Sequence, residues 1–235
     1  MVANEIEISG ISSGYGNAMI LSDLSLDVRK GESVAILGKN GMGKSTLLKS
    51  IMGFLPKKKG SIKIAGYDVT KVRPHSIANH GVAYAAQEQA LFTELSVKDN
   101  LKIGMPHPNT FEQEFSKIIH LFPVFEKRLN QHAGTLSGGE QKMLLVARCL
   151  LLRPDIIMLD EITEGLQPSV ISNIARALNW ERKTHGTTML IIEQNISFAV
   201  SVSDKYMILK QGRFIDSGSS KSSDAADAIY SHLIV

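Results

Sequence analysis

The sequence lacks the features that mark secreted, membrane-spanning and nucleic-acid-binding proteins. Its 235 residues include a single cysteine, Cys149, which cannot form a disulfide within the chain. The 26 Lys and Arg residues against 23 Asp and Glu leave a formal net charge of only +3, so we expect no nucleic-acid partner. The N-terminal segment has no basic start followed by an apolar run, so we expect no secretion signal.

Long apolar runs are also missing. The most apolar window, residues 143–152, contains Arg148 and is shorter than the roughly 20 apolar residues that a membrane-spanning helix needs. Any association with a membrane therefore requires a partner. The 43% hydrophobic and 21% charged residues are nevertheless typical of a globular protein with a substantial core, in which Cys149 is expected to be a small buried thiol.

Short apolar runs alternate with helical patterns along the chain, which is typical of an α/β protein. Helical patterns follow Lys44 and cover about residues 111–122, 138–152 and 168–183. The run EIEIS predicts an early strand. We assign every run after residue 30 to a parallel sheet core, because several are apolar throughout, as in strands buried on both faces. These runs are SVAIL, SIKIAG, VAYAA, IIMLD, TMLII and KYMIL.

The order of these patterns predicts one mixed domain with an insertion. Residues 88–154 contain helical patterns without a clear strand, so we interpret them as an inserted helical subdomain. Residues 1–87 and 155–220 form the sheet-containing core. Residues 221–235 are assigned to a C-terminal helix, preceded by a serine-rich linker that begins at Gly218.

The stretch GKNGMGKST, residues 38–46, matches the G-x-x-x-x-G-K-[ST] pattern of a phosphate-binding loop. It follows the run SVAIL and precedes a helical pattern, as this loop requires. Its backbone N–H groups would face a phosphate, Lys44 would add a cation and Ser45 would ligate Mg²⁺. The residues that we assign to the nucleotide here are Gly38, Asn40, Gly41, Gly43, Lys44, Ser45 and Thr46.

The run IIMLDE, residues 156–161, predicts a buried strand that delivers two carboxylates at its C-terminal end. Open α/β sheets bind their ligands at that edge. We expect Asp160 to hold the Mg²⁺ shell and Glu161 to act as the general base that activates a water molecule.

A second anion-binding turn is predicted at LSGGEQK, residues 136–142, where Ser-Gly-Gly opens a long apolar helix. Such a turn alone is more often a helix cap. The seven residues together resemble the signature of the ATP-binding cassette (ABC) family, and the resemblance extends from about Glu5 to Ile215. It implies a P-loop NTPase fold, RecA-like, with an N-terminal antiparallel β subdomain and the inserted helical subdomain.

The resemblance also implies how two phosphate-contacting loops are used. In that family the signature of one subunit closes over the γ-phosphate held by the phosphate loop of another, so a second cassette subunit is the expected partner. The residues that would contact the partner's ATP are Ser137, Gly138, Gly139 and Gln141.

Further positions follow from the same resemblance. Tyr15 matches the aromatic residue that stacks on adenine, although a half-buried strand tyrosine is the alternative. Gln87 matches the glutamine that reaches Mg²⁺ and the attacking water. Gln194 replaces the usual histidine near the γ-phosphate, and as a neutral amide it can donate a hydrogen bond but cannot become a cation. Ile162 replaces a frequent proline, and Gln167 replaces a frequent aspartate.

The segments TEGLQPS and EQN resemble ATPase subunits of importers for branched-chain amino acids, urea and short-chain amides. This implies a cytoplasmic, Mg²⁺-dependent ATPase, peripheral on the inner face of the cell membrane. Its further partners would be transmembrane permease subunits and, indirectly, a solute-binding protein. Two alternatives stay open: a soluble cassette ATPase of translation, repair or iron–sulfur assembly, and a small-molecule kinase, which would leave LSGGEQK unexplained.

Overall fold

The computed structural model describes residues 4–87, 91–105 and 107–233. In chain order the strands are β1 (Asn4–Tyr15), β2 (Ala18–Arg29), β3 (Ser33–Leu37), β4 (Lys57–Ile64), β5 (Tyr67–Asp68), β6 (Val82–Ala85), β7 (Ile156–Asp160), β8 (Thr188–Glu193), β9 (Lys205–Lys210) and β10 (Arg213–Ser219). The helices are α1 (Lys44–Ile51), α2 (Pro74–Ala78), α3 (Val97–Lys102), α4 (Phe111–Ile118), α5 (Gly138–Leu151), α6 (Pro168–His185), α7 (Ile196–Val202) and α8 (Ala225–Leu233). Short 3₁₀ turns lie between α3 and α5.

The strands form two sheets that differ in direction. The smaller sheet has the order β2-β1-β4-β5 and is antiparallel throughout. The larger sheet has the order β10-β9-β3-β8-β7-β6 and is parallel from β9 to β6, with β10 antiparallel at one edge. The parallel strands all end at the same edge of the larger sheet, and that edge is where α/β proteins bind ligands. The predicted α/β class is confirmed.

One strand lies in a different sheet from the one that we predicted. Residues 61–64 of the run SIKIAG form the second half of β4, which pairs antiparallel with β1, with Ile6 opposite Ile64 and Ile8 opposite Ile62. Ile62 and Ile64 are buried whereas Lys63 between them is exposed. This alternation is typical of a sheet with one face toward solvent, so the assignment of every run after residue 30 to the parallel core was wrong.

The two faces of the larger sheet pack against different layers. In β7, Ile157 and Leu159 belong to a cluster with α3, α4, α5 and α6. Ile156 and Met158 belong to a second cluster with α1 and the smaller sheet. Because successive side chains of a strand point to opposite faces, the apolar run is buried on both sides and its register is fixed. The sheet therefore determines where the strand ends, at Asp160.

The region between β6 and β7 is built of helices and turns in its described residues, 91–105 and 107–155, apart from an isolated bridge between Ser96 and His132. Residues 88–90 and 106, which belong to the predicted helical subdomain, lie outside the described part. Cys149 is buried in α5, and burial raises the pKa of its thiol to about 11, as expected for a structural cysteine. Of the helices described, none combines the length and the apolar character needed to cross a bilayer.

The C-terminal linker starts later than we predicted. Gly218 and Ser219 are strand residues of β10, opposite Tyr206 and Lys205 of β9. A Cβ atom on Gly218 would lie 2.6 Å from the hydroxyl oxygen of Tyr206, so the glycine here accommodates a packed ring. The helix α8 follows and packs on α7 through Ala225 and other small apolar residues. Residues 234 and 235 lie outside the described part.

Candidate active site

The predicted phosphate loop joins β3 to α1 at the carboxyl edge of the larger sheet. Gly43 precedes the first turn of α1 with φ 101°, a left-handed conformation that favours glycine. A Cβ atom there would lie 2.8 Å from Leu21 Cδ2, and one on Gly38 would lie 2.4 Å from the carbonyl oxygen of Leu209. Strand β2 and the end of β9 therefore close around the loop, and its shape depends on both glycines.

A cavity of about 450 Å³ lies over this loop. Tyr15 lines it with 48% of its surface exposed, so a face of the ring is accessible for stacking on a base. Its lining residues are Tyr15, Ile20, Asn40, Gly41, Gly43, Lys44, Ser45, Thr46, Gln87 and Glu161. The phosphate loop, the predicted adenine contact and the predicted base thus share one space.

The predicted cation and the predicted base are bonded to each other. Lys44 Nζ lies 2.8 Å from Glu161 Oε1, and the side chains are only 3% and 6% exposed. Lys44 Nζ also donates to the carbonyl oxygen of Lys39 at 2.9 Å. Since a buried charge needs a partner, this ion pair compensates the charges of both groups.

Two amides converge on the second oxygen of the same carboxylate. Gln194 Nε2 donates to Glu161 Oε2 at 2.8 Å, and Gln87 Nε2 donates to it at 3.3 Å. Gln194 also donates to Asn40 Oδ1 at 2.6 Å, which links the end of β8 to the phosphate loop. All three predicted catalytic residues, Glu161, Gln194 and Gln87, therefore meet in one cluster.

Glu161 has a strained backbone, with φ 47° in the left-handed region that a residue with a side chain rarely adopts. Its N–H donates to the carbonyl oxygen of Ile192 at 2.9 Å, which ties the turn after β7 to the end of β8. Strain of this kind persists only where the surroundings hold it, and it is concentrated at functional sites.

The predicted metal ligands are brought together in part. Ser45 Oγ donates to Asp160 Oδ1 at 3.0 Å. Asp160 is 1% exposed, and burial raises the pKa of its carboxyl, although the bond from Ser45 acts in the opposite direction. The Ser45 hydroxyl and the buried Asp160 carboxylate both present oxygen atoms, which are the ligands that Mg²⁺ prefers. The amide of Gln87 instead contacts Glu161 and Glu164.

The signature begins α5 in a different arrangement. Ser137 is the N-cap residue and forms a capping box with Glu140, in which Ser137 N donates to Glu140 Oε2 at 2.9 Å. Gln141 Nε2 donates to the carbonyl oxygens of Leu136 and Ala133, at 3.2 and 3.4 Å. Ser137 and Gly138 are exposed. Among the residues lining the cavity described above, none comes from the signature.

Three residues near the site were assigned no role in the sequence analysis. Tyr84 donates its hydroxyl to Asp160 Oδ2 at 3.5 Å, and Lys142 Nζ donates to the carbonyl oxygen of Gln87 at 2.8 Å. Glu193 is 1% exposed and accepts from both backbone and side chain of Thr163. The one available signal was the position of Glu193, which ends a continuous apolar strand and directly precedes Gln194.

Comparison with known proteins decides the family. Residues 21–164 match the family model described as ABC transporter, which is more than half of the chain. The chain belongs to the ABC transporter family. Within this family it is an ATP-hydrolysing cassette of a transporter, and the small-molecule kinase alternative is wrong.

Several relatives in the ABC family are ATP-binding proteins of transport systems. The chain is 34% identical to the high-affinity branched-chain amino acid transport ATP-binding protein BraG of Pseudomonas aeruginosa, over 87% of this chain and 88% of the relative. It is 35% identical to the probable branched-chain amino acid transport ATP-binding protein LivF of Archaeoglobus fulgidus, over 88% and 89% of the two chains. It is also 32% identical to the sulfate/thiosulfate import ATP-binding protein CysA of Bacillus cereus, over 91% and 61%.

Solved ABC cassettes share the fold. A nucleotide-free ATP-binding cassette from an ABC transporter superposes with a TM-score of 0.86 at 25% identity, over 97% of this chain and 96% of the other. A dimeric cassette in a post-hydrolysis state, bound to ADP and Pi, superposes with a TM-score of 0.82 at 21% identity, over 92% and 99%. The arrangement of core, β sheet and helices is therefore that of an ABC cassette.

Proposed function

We propose that this cassette drives an importer for branched-chain amino acids or the related short amides, including urea. The printed roles of BraG and LivF support the amino-acid class. The segments TEGLQPS, which follows β7, and EQN, which begins at the last residue of β8, carried the same resemblance in the sequence. CysA matches at similar identity, so family membership alone does not select this solute class.

The observation that carries the catalytic part is the convergence on Glu161. ATP would enter the cavity with its base on Tyr15 and its phosphates along the backbone of the phosphate loop. A γ-phosphate at Lys44 would compete with Glu161 for the ammonium group, because the two are 2.8 Å apart. The released carboxylate would then accept a proton from the attacking water. Gln194 lies beside it as a donor to a phosphate oxygen.

The residues of the site fit Mg²⁺. Ser45 and Asp160 would hold the ion, with Gln87 reaching it when its amide leaves Glu164. When bound, Mg²⁺ neutralises charge on the β- and γ-phosphates. The buried carboxylate of Asp160 would contact the ion. It accepts hydrogen bonds from the Ser45 hydroxyl and, at a longer distance, from the Tyr84 hydroxyl.

We further propose that the signature serves the nucleotide of a second cassette chain. Ser137 and Gly138 are exposed at the start of α5, where backbone N–H groups and the helix dipole favour a phosphate. The solved cassette bound to ADP and Pi is itself a dimer, which supports this assembly. Closure around two ATP molecules would move transmembrane permease subunits between states, with the cassette on the cytoplasmic face and a solute-binding protein delivering solute.

The solute class is tested on the complete transporter. The cassette is purified from native membranes with its associated permease subunits, reconstituted in vesicles with the solute-binding protein, and assayed for ATP-dependent uptake. We expect radiolabelled leucine, isoleucine or urea to accumulate and to stimulate ATPase activity, with the Glu161→Gln cassette as the inactive control.

Sulfate and spermidine are the comparison solutes in this assay. Uptake of either one without uptake of amino acids or amides would overturn the proposed solute class. Purification of an active ATPase without any permease subunit would overturn the proposed importer.

A further inference from the structure

A buried carboxylate outside the nucleotide cavity joins the two loops that carry the proposed catalytic groups. Glu193 ends β8 and is 1% exposed. Its Oε1 accepts from Thr163 N at 3.1 Å, and its Oε2 accepts from Thr163 Oγ1 at 2.7 Å. Oε2 also accepts from Gln194 N at 3.2 Å. Both oxygens are therefore used by the loops after β7 and β8.

These bonds lie next to the groups that meet in the cavity. Thr163 follows Glu161 by two residues, so its two bonds to Glu193 fix the C-terminal side of the strained turn at Glu161. The N-terminal side of this turn is fixed by the bond from Glu161 N to the carbonyl oxygen of Ile192. Gln194 is attached to the same carboxylate through its own N–H. Glu193 thus holds the backbones of the proposed base and of the γ-phosphate donor relative to each other.

We propose that Glu193 is a positioning residue for ATP hydrolysis, which sets the distance and angle between Glu161 and Gln194 without contacting the nucleotide. The proposal rests on the roles assigned above to Glu161 and Gln194. It follows from geometry, because one rigid acceptor receives donors from both loops.

Stability alone does not account for an acid at this position. Burial raises the pKa of Glu193, which shows that the ionised form is costly to place here. Replacing a buried polar or charged group and its partners with well-packed apolar residues is often neutral or stabilising. A carboxylate instead gives a fixed acceptor for donors on two loops, which an apolar side chain cannot do.

The chain contains a matched pair of residues away from the site. Glu181 in α6 is 2% exposed, and its Oε1 accepts from Thr187 Oγ1 at 2.9 Å. Both pairs combine a buried glutamate with a buried threonine hydroxyl. Glu181, however, lies near the amino-terminal ends of β7 and β8, where Thr187 also contacts the carbonyl oxygen of Pro154, and it has no bond to Glu161 or Gln194 among those described. Glu181→Gln is therefore the control for a general loss of stability.

The test is Glu193→Gln in the full chain, or in the full transporter where the chain alone turns over slowly. The NH₂ group of the new amide meets Thr163 N–H when it replaces Oε1 and Gln194 N–H when it replaces Oε2, so either orientation loses at least one backbone bond while the volume is kept. We expect kcat to fall about 10- to 100-fold, as for a small displacement of reacting groups. KM for ATP is expected to change by less than about threefold, since ground-state binding is kept.

Substitutions at Thr163 provide a second measure that does not depend on the folding of Glu193→Gln. Thr163→Val removes the hydroxyl and is expected to lower kcat, whereas Thr163→Ser keeps it and is expected to restore most of the turnover. Glu193→Gln combined with Thr163→Val should be no worse than the single change, because both remove one linkage. Glu181→Gln is expected to lower the unfolding temperature without a comparable loss of kcat.

Three other results would overturn the positioning role of Glu193. Wild-type kcat in both Glu193→Gln and Thr163→Val, with Glu161→Gln inactive, would overturn the positioning role and leave the base assignment intact. An equal loss of kcat in Glu181→Gln would also overturn it, since the effect would then be general. Full turnover in Glu161→Gln would overturn the proposed base and the positioning role with it.

Discussion

The phosphate loop and the signature are both glycine-containing turns that precede a helix, α1 and α5, yet the chain connects them differently. Lys44 and Asn40 are bonded through side chains to Glu161 and Gln194, which come from other strands of the sheet. Ser137 is instead bonded to Glu140, one turn further along its own helix. The phosphate loop is therefore held by residues from distant segments, whereas the start of the signature is held by its own helix.

This difference has a consequence for binding. The cavity over the phosphate loop contains a cation, a candidate base and oxygen ligands within one chain. The signature is exposed at its start, where Ser137 is held by the capping box of its own helix. Its bonds to distant residues come from later positions, from Lys142 to the carbonyl oxygen of Gln87 and between Glu140 and Arg128. In the proposed dimer, the second cassette chain would supply the phosphate to this helix N-terminus.

The largest expected effect comes from replacing Glu161, to which Lys44, Gln194 and Gln87 are all bonded. Glu161→Gln keeps the shape but removes the basic oxygen, so hydrolysis should fall by about 10²–10⁴-fold. ATP affinity should be maintained or increased, because Lys44 no longer forms an ion pair with the side chain at 161. Phosphate release and nucleotide titration measure the two effects. Retention of most wild-type turnover would assign the base to another group.

Two substitutions, one in each loop, separate the functions of the two loops onto different chains. Ser137→Arg should block closure while leaving ATP affinity of the monomer unchanged, and Lys44→Ala should prevent phosphate binding. Neither variant alone should hydrolyse ATP. An equal mixture should recover about a quarter of wild-type turnover, since half of randomly formed dimers are mixed and each contains one complete site.

Light scattering and phosphate release follow the assembly and the activity of this mixture. A heterodimeric transporter requires the natural partner cassette in place of the second variant. A loss of ATP affinity in monomeric Ser137→Arg would mean that the signature contacts its own chain's nucleotide, and the two-chain arrangement would be wrong.

The smallest expected effect concerns Gln194. The histidine in Gln194→His can still donate to Glu161 and to a phosphate oxygen, so turnover should stay within about threefold of wild type near neutral pH. Protonation of the imidazole below its pKa would add a cation near the γ-phosphate, so we expect activity to gain a dependence on pH between about 6 and 7.5. A pH series of kcat measures this. An inactive variant would show that the site requires the amide.

Much of the site could be predicted from the sequence because its chemistry is encoded in short stretches. The loop from Gly38 to Thr46, the acids after IIMLD and the cap at Ser137 each lie within a few residues, and the structure places them at the ends of the expected strands and helix. Glu193 could not be recognised in this way. Its pattern is a single acid after an apolar strand, and its role depends on Thr163, thirty residues earlier in the chain.

The local elements follow from the amino-acid sequence alone: which runs are apolar, where the glycines permit the phosphate loop, and which acids follow a buried strand. These depend on neighbouring residues and on the periodicity of strands and helices. Only the tertiary structure decided that SIKIAG pairs with β1, and that Lys44, Glu161 and Gln194 meet in one cluster. The physical reason is the order of strands in the larger sheet, which brings the ends of β3, β7 and β8 together from distant parts of the chain. That order is fixed by hydrogen bonding between strands and by burial of both faces of the sheet, and neither can be read from one segment alone.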